Sequence, residues 1–456
     1  MEDAMNASQN NDKKKIAKIQ RPFINNLYRE SLGYIPMRMK PVHFATGFLS
    51  CLYRRYRSLE LLNKAANPQV GEKCVGDEYV AENLYPRLID NQSILDSAIN
   101  VEALKLLRNH LNAAYNNDGS AMGPAFKPHK SFGCDYSAPS LNYLSDLSKH
   151  GNAAGALVWL VLNSTTTGQQ FLKLAKDIAL RAEGPAAALG LPLIEDEENE
   201  FKEDISQLFG NPQASWLCDA SELMKPQTEA LLCLANNLDH YQSAYALRKL
   251  IIGVGSSLVV YQIRHIPGLA ETIFFCDFAG DVRPQLRTQA MACYARQRSL
   301  FGRSIRLWLD FNTQHADEEK RDIFRNAETE ISKELEDHFR DFSERIGWVQ
   351  PRVTQNKYFR TVPDTLSVLL LSILKQGEVC TMDDVASRLR RHWHLVIGLL
   401  PEDHATLHQH GYTPLDEDAD LRVNRDAFKR LAIHLGFAWE PSDGLVLFSL
   451  TPDQLS

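Results

Sequence analysis

Thr381-Met-Asp-Asp-Val-Ala-Ser-Arg-Leu389, Asn424-Arg-Asp-Ala-Phe-Lys-Arg-Leu-Ala-Ile-His-Leu-Gly436 and Phe437-Ala-Trp-Glu-Pro-Ser-Asp-Gly-Leu-Val-Leu-Phe448 decide the reading of this chain. The first opens on a threonine that can cap a helix. The second carries Phe428, Leu431 and Leu435 at helical spacing and ends on glycine. The third reads as two short strands about a Ser-Asp-Gly turn. The apolar run from Leu366 to Leu374 supplies a helix ahead of all three. Helices followed by a hairpin predict a winged-helix-like unit over residues 357–456, folding autonomously and gripping another macromolecule.

In a winged helix that reads DNA, the third helix enters the major groove and the wing touches the backbone or minor groove. Arg422, Arg425 and Lys429 fall on one side of that helix, and Arg388, Arg390 and Arg391 add charge at the end of the second. These are the side chains expected to meet phosphates, because arginine offers forked donors and needs no base sequence to do so. The surroundings pull the other way. Residues 357–456 hold fourteen acids against ten bases, the stretch from Asp416 to Asp420 precedes the helix, and Glu440 and Asp443 flank the wing tip. Docking onto a protein therefore stands beside contact with DNA.

Upstream, Ala327, Ile331, Leu335, Phe339, Phe342 and Ile346 recur at steps of three and four, which predicts a long helix over 317–346 with one buried stripe. Gly347 ends it and Pro351 prevents its continuation. Before it, Thr272-Ile-Phe-Phe-Cys276 reads as a strand, and the stretch Phe274-Phe-Cys-Asp-Phe-Ala-Gly-Asp281 is followed by six arginines and no acid from Val282 to Leu309. Arg296, Arg303 and Arg306 share one face if a helix runs unbroken through Gly302, and that face could lie on phosphates. The alternative is pairing with the acidic side of the next helix. Asp277, Asp281 and Asp310 could converge on a divalent cation, as in metal-dependent nucleases and phosphodiesterases. Equally, acids at this spacing ahead of a proline cap helix starts.

The rest of the chain narrows the function classes. A length of 456 residues suggests about three domains. We read a disordered tail over 1–20, a mixed, mostly helical domain over 21–210, a helical domain over 211–352 and the terminal unit over 357–456. The fold class is mainly α. A formal charge of −7 argues against wholesale electrostatic binding to nucleic acid, so any such contact is local. Arg54, Arg55 and Arg57 beside Tyr53 and Tyr56 form one basic patch, read more simply as a half-buried helix. The acidic run from Glu195 to Asp204 reads as solvated. Eight scattered cysteines without a C-x-x-C pair fit reduced thiols and a cytoplasmic location. The apolar runs Ala153 to Leu162 and Leu250 to Tyr261 fall short of the roughly 20 residues a membrane span needs, so no membrane partner is expected.

No template of known chemistry survives inspection. A phosphate-binding G-x-x-x-x-G-K-[ST] loop is missing, Gly253-Val-Gly-Ser-Ser257 is not a nucleophile elbow, and its small residues suit close helix packing. His404 and His408 stand four apart, but the Ala-Thr-Leu between them lacks the glutamate of a zinc protease. No cofactor is expected.

In layout from about 215 to 456, the chain resembles uncharacterised accessory proteins of bacterial phage-defence and DNA-modification gene clusters: a helical body, the strand at 274–281, an arginine-rich helix and a terminal winged helix. The resemblance implies a role beside an ATPase, nuclease or modification enzyme encoded elsewhere. The expected function is a non-enzymatic adaptor joining a multi-protein nucleic-acid-handling complex. The alternatives are the three-aspartate nuclease or phosphodiesterase, and a scaffold binding proteins alone.

Overall fold

The structure, a computed structural model, describes residues 22–36, 41–53, 153–181, 215–239, 244–269, 272–311, 318–351, 356–398, 400–412, 417–442 and 445–450. The expectations for the tail at 1–20, the basic patch at 54–57 and the acidic run at 195–204 lie outside these residues. Within them the chain is mainly α-helical, with strands of two to five residues.

The N-terminal part of the described chain is a stack of helices: α1 (residues 22–32), α2 (Pro41–Tyr53), α3 (Ala153–Asn163), α4 (Thr166–Arg181), α5 (Ser215–Leu223), α6 (Lys225–Leu238) and α7 (Ala244–Arg264). The last of these packs against α2, α3, α4, α5 and α6. Its middle is apolar on every side, and a helix without a polar face has to be enclosed. The helix exceeds its apolar run: Ala246–Arg264 is long and apolar enough to cross a membrane by length and composition, yet 89% of that stretch is buried inside the fold. Gly253 and Gly255 permit the enclosure. A Cβ on either would lie 2.5 Å from a neighbouring side chain, Leu234 of α6 or Ile346. The small residues thus act in helix packing, as the sequence suggested.

After α7 come β1 (Phe274–Phe275), α8 (Pro284–Gly302), α9 (Ser304–Phe311) and α10 (Glu318–Ile346). All six stripe residues of α10, from Ala327 to Ile346, are buried, and at about 1.5 Å per residue the helix spans about 44 Å. Side chains of α1 and the turn after it fasten it: the Tyr28 hydroxyl donates to Glu334 over 2.9 Å, and His338 lies 3.2 Å from the Tyr34 hydroxyl. Gly347 terminates it with φ +89°, where a Cβ would meet the Thr365 hydroxyl at 2.4 Å. The unbroken arginine helix, by contrast, does not form. Helix α8 stops at Gly302, Arg303 takes a non-helical cap conformation and α9 starts afresh at Ser304.

The C-terminal part comprises β2 (Val349–Gln350), β3 (Tyr358–Phe359), α11 (Pro363–Leu371), β4 (Cys380–Thr381), α12 (Met382–Trp393), β5 (Leu395–Val396), α13 (Asp403–Gln409), α14 (Arg422–His434), β6 (Ala438–Ser442) and β7 (Leu445–Phe448). The expected hairpin is β6–β7, and β4 adds to it so that β7 lies centrally in the order β4-β7-β6. One further pair lies within this part, and another stitches it to the preceding one. Antiparallel β2–β3 places Val349 opposite Phe359, and parallel β1–β5 places Phe274 opposite Leu395 and Phe275 opposite Val396. One continuous apolar core runs from Ile24 to Leu450.

Candidate functional site

Helix α12 begins where Thr381 accepts the Asp384 N–H at 3.2 Å and Asp384 accepts the Thr381 N–H at 2.9 Å, a reciprocal capping box. The Thr381 hydroxyl, which donates to the same carboxylate at 2.7 Å, and then the Thr381 N–H hold the Asp384 carboxyl below the usual carboxylate range. The helix closes on His394, whose φ of 54° is left-handed. Val385, Leu389 and Trp393 face inward, which leaves Arg388, Arg390 and Arg391 on the rim. There each meets a carboxylate. Arg388 donates to Glu378 at 2.8 Å and to the Ile373 carbonyl at 2.9 Å. Arg390 reaches Asp403 at 3.2 Å and the Thr406 hydroxyl at 2.8 Å, and Arg391 reaches Glu229 of α6 at 3.3 Å. The end of α12 is thus a joint between α6, α12 and α13.

A cleft of about 340 Å³ opens at that joint, lined by Cys233, Lys375, Arg388, Arg391 and His392 among others. Of its cations, Arg388 donates to the Ile373 carbonyl just past the end of α11. Asn237 donates to the carbonyls of Leu371 and Leu374 at 2.7 and 2.8 Å, and Cys233 donates to Leu374 at 3.3 Å. Desolvation pushes the Cys233 thiol up to about 11, so it is not a thiolate nucleophile at neutral pH.

The arginines of the middle segment are divided. Arg296 donates to the His410 carbonyl, Arg306 pairs with Glu328 of α10 at 3.2 Å, and Arg298 pairs with Glu336 at 2.8 Å. Pairing with the acidic side of the next helix therefore describes Arg298 and Arg306. Arg303 is exposed and makes no ion pair among the described residues.

The three aspartates do not form a metal centre among the described residues, where no three His, Cys, Asp or Glu side chains gather to hold an ion. Asp277 is fully buried, accepts the Gly280 N–H at 2.9 Å and has its carboxyl pushed up by desolvation. Asp310 is exposed, 3.9 Å from Arg306. The side chain of Asp281 lies outside the described residues. Asp277 shapes a turn, and its surroundings discourage the charge that a hard cation needs.

That leaves α14 and its hairpin. Phe428 of α14 packs between Phe278 and Phe448, with ring centroids 5.3 and 6.1 Å apart. Asn424, fully buried one turn earlier, donates to the carbonyls of Cys276 and Ile397 at 2.9 and 2.7 Å and accepts the Phe278 N–H at 2.7 Å. With those positions facing inward, Arg422, Arg425 and Arg430 face solvent without ion pairs among the described residues. Lys429 is engaged by Glu440 of β6 at 3.3 Å. Sequence reasoning named Arg422 and Arg425 and passed over Arg430 and Asn424. An asparagine at helical spacing with Phe428 and Ala432 was the available signal, since a polar residue on an apolar stripe needs buried partners. No protein-family model, curated protein or solved structure matches the chain.

Proposed function

We propose that the chain is a non-enzymatic adaptor of a nucleic-acid-handling assembly, with residues 357–456 as a winged-helix-like unit and α14 as its nucleic-acid contact. The observation that carries this reading is the solvent-facing set Arg422, Arg425 and Arg430 on a helix laid beside a hairpin. The order β4-β7-β6 supports it, because β4 holds the hairpin next to the helices in the manner of a wing. Of the nine cations expected at phosphates, Arg388, Arg390, Arg391, Arg306 and Lys429 already have carboxylate partners and Arg296 a carbonyl. Contact would therefore be weak and salt-sensitive, as suits a subunit that works beside an ATPase, nuclease or modification enzyme of a defence or DNA-modification system.

The test is fluorescence anisotropy of duplex DNA at about 50 and about 200 mM salt, with wild type and an Arg422→Ala/Arg425→Ala double variant. Loss of two phosphate contacts should lower the slope of log affinity against log salt by about 1.8. An unchanged slope, or no binding at the lower salt, overturns the proposal.

A further inference from the structure

The outer face of the β4-β7-β6 sheet has a composition of its own. Cys380, Phe448 and Ala438 stand opposite one another across the three strands and are buried. The next row, Thr381, Leu447 and Trp439, therefore points away from the helices, because side chains alternate along a strand. Leu445 lies two residues from Leu447 on the same side, and Val379 precedes Cys380 on the outward alternation. Val379, Trp439 and Leu445 are 57%, 38% and 45% exposed, and they are half of the six exposed large hydrophobic residues among those described. Such concentration on one face, with half-buried Leu447 at its centre, marks a contact surface.

The rim selects the occupant. Exposed Asp383 and Asp384 stand at the β4 edge, whereas Glu440 of β6 turns to the helix side and is taken by Lys429. Nucleic acid would bring phosphates against the two aspartates. A helix with one apolar stripe and flanking lysines or arginines satisfies both the strip and its rim. We propose that this face docks a cationic amphipathic helix of a partner protein. It lies on the sheet, away from the arginines of α14, so the adaptor would hold its two partners on different surfaces.

A labelled synthetic Leu/Lys amphipathic peptide serves as the probe, its Leu/Glu counterpart as control, and anisotropy as the readout. Wild type should bind the Leu/Lys peptide and not the Leu/Glu one. A Trp439→Ser/Leu445→Ser double variant should bind at least about tenfold more weakly, since apolar anchors dominate such contacts. Leu445→Lys alone replaces it if the double variant fails to fold. The Arg422→Ala/Arg425→Ala protein should keep full peptide binding, which separates this inference from the nucleic-acid reading. Equal affinity of wild type and sheet variants, or equal binding of both peptides, overturns it. So does self-association in sedimentation that the sheet variants abolish.

Discussion

The amide of Asn424 sits where α14 meets the ends of β1 and β5, giving protons to the carbonyls of Cys276 and Ile397 and taking one from the N–H of Phe278. An alanine there would strand three backbone groups, each of which costs about 1–3 kcal/mol when left unpaired in the interior. Asn424→Ala is expected to lose at least about 3 kcal/mol, read as a lower urea midpoint at constant m value. Asn424→Asp should fare no better, because it sets an acceptor against two carbonyls. A midpoint shift within error for either variant would contradict this account. The partners of Asn424 stand 148 and 27 residues away in sequence, and no local pattern reports them. The arginines of α12 tell the same story. Their positions are legible from sequence, whereas their neutralisation by Glu229, Glu378 and Asp403 depends on which helices become neighbours.

At the scale of elements, local signals carried further. The stripe of α10, the threonine cap of α12 and the pairing of β6 with β7 each depend on neighbours within a few residues, and each appears where the pattern placed it. The strand expected at 272–276 shrank to Phe274–Phe275, and the arginine helix broke at Gly302, because tertiary contacts set those limits. Pairing between β6 and α14 has a testable electrostatic consequence. Glu440 engages Lys429, so Glu440→Gln should release the amine toward solvent. If α14 contacts DNA, this variant should bind more tightly at low salt and steepen the salt slope by up to about 0.9. An unchanged slope would remove Lys429 from the interface.

For the molecule as a whole, acid should be destabilising. Desolvation holds His265 and His394 down at about 4, against an ordinary value near 6.5. Between those values the unfolded chain takes up protons that the folded one refuses. The stabilisation is complete above about pH 6.5 and is lost as pH falls toward about 4, a few kcal/mol in all. Asp277, whose carboxyl is pushed up, works in the opposite sense and offsets part of the loss. Urea midpoints should therefore fall between about pH 7 and about pH 4.5, and a flat profile would contradict the assignment. The parallel partnership of β1 with β5 also bears on synthesis. Phe275 leaves the ribosome about 120 residues ahead of Val396, a wait of roughly 6–24 s at about 5–20 residues per second. During that interval two phenylalanines that end up fully buried have no strand to pair with and stay exposed to water.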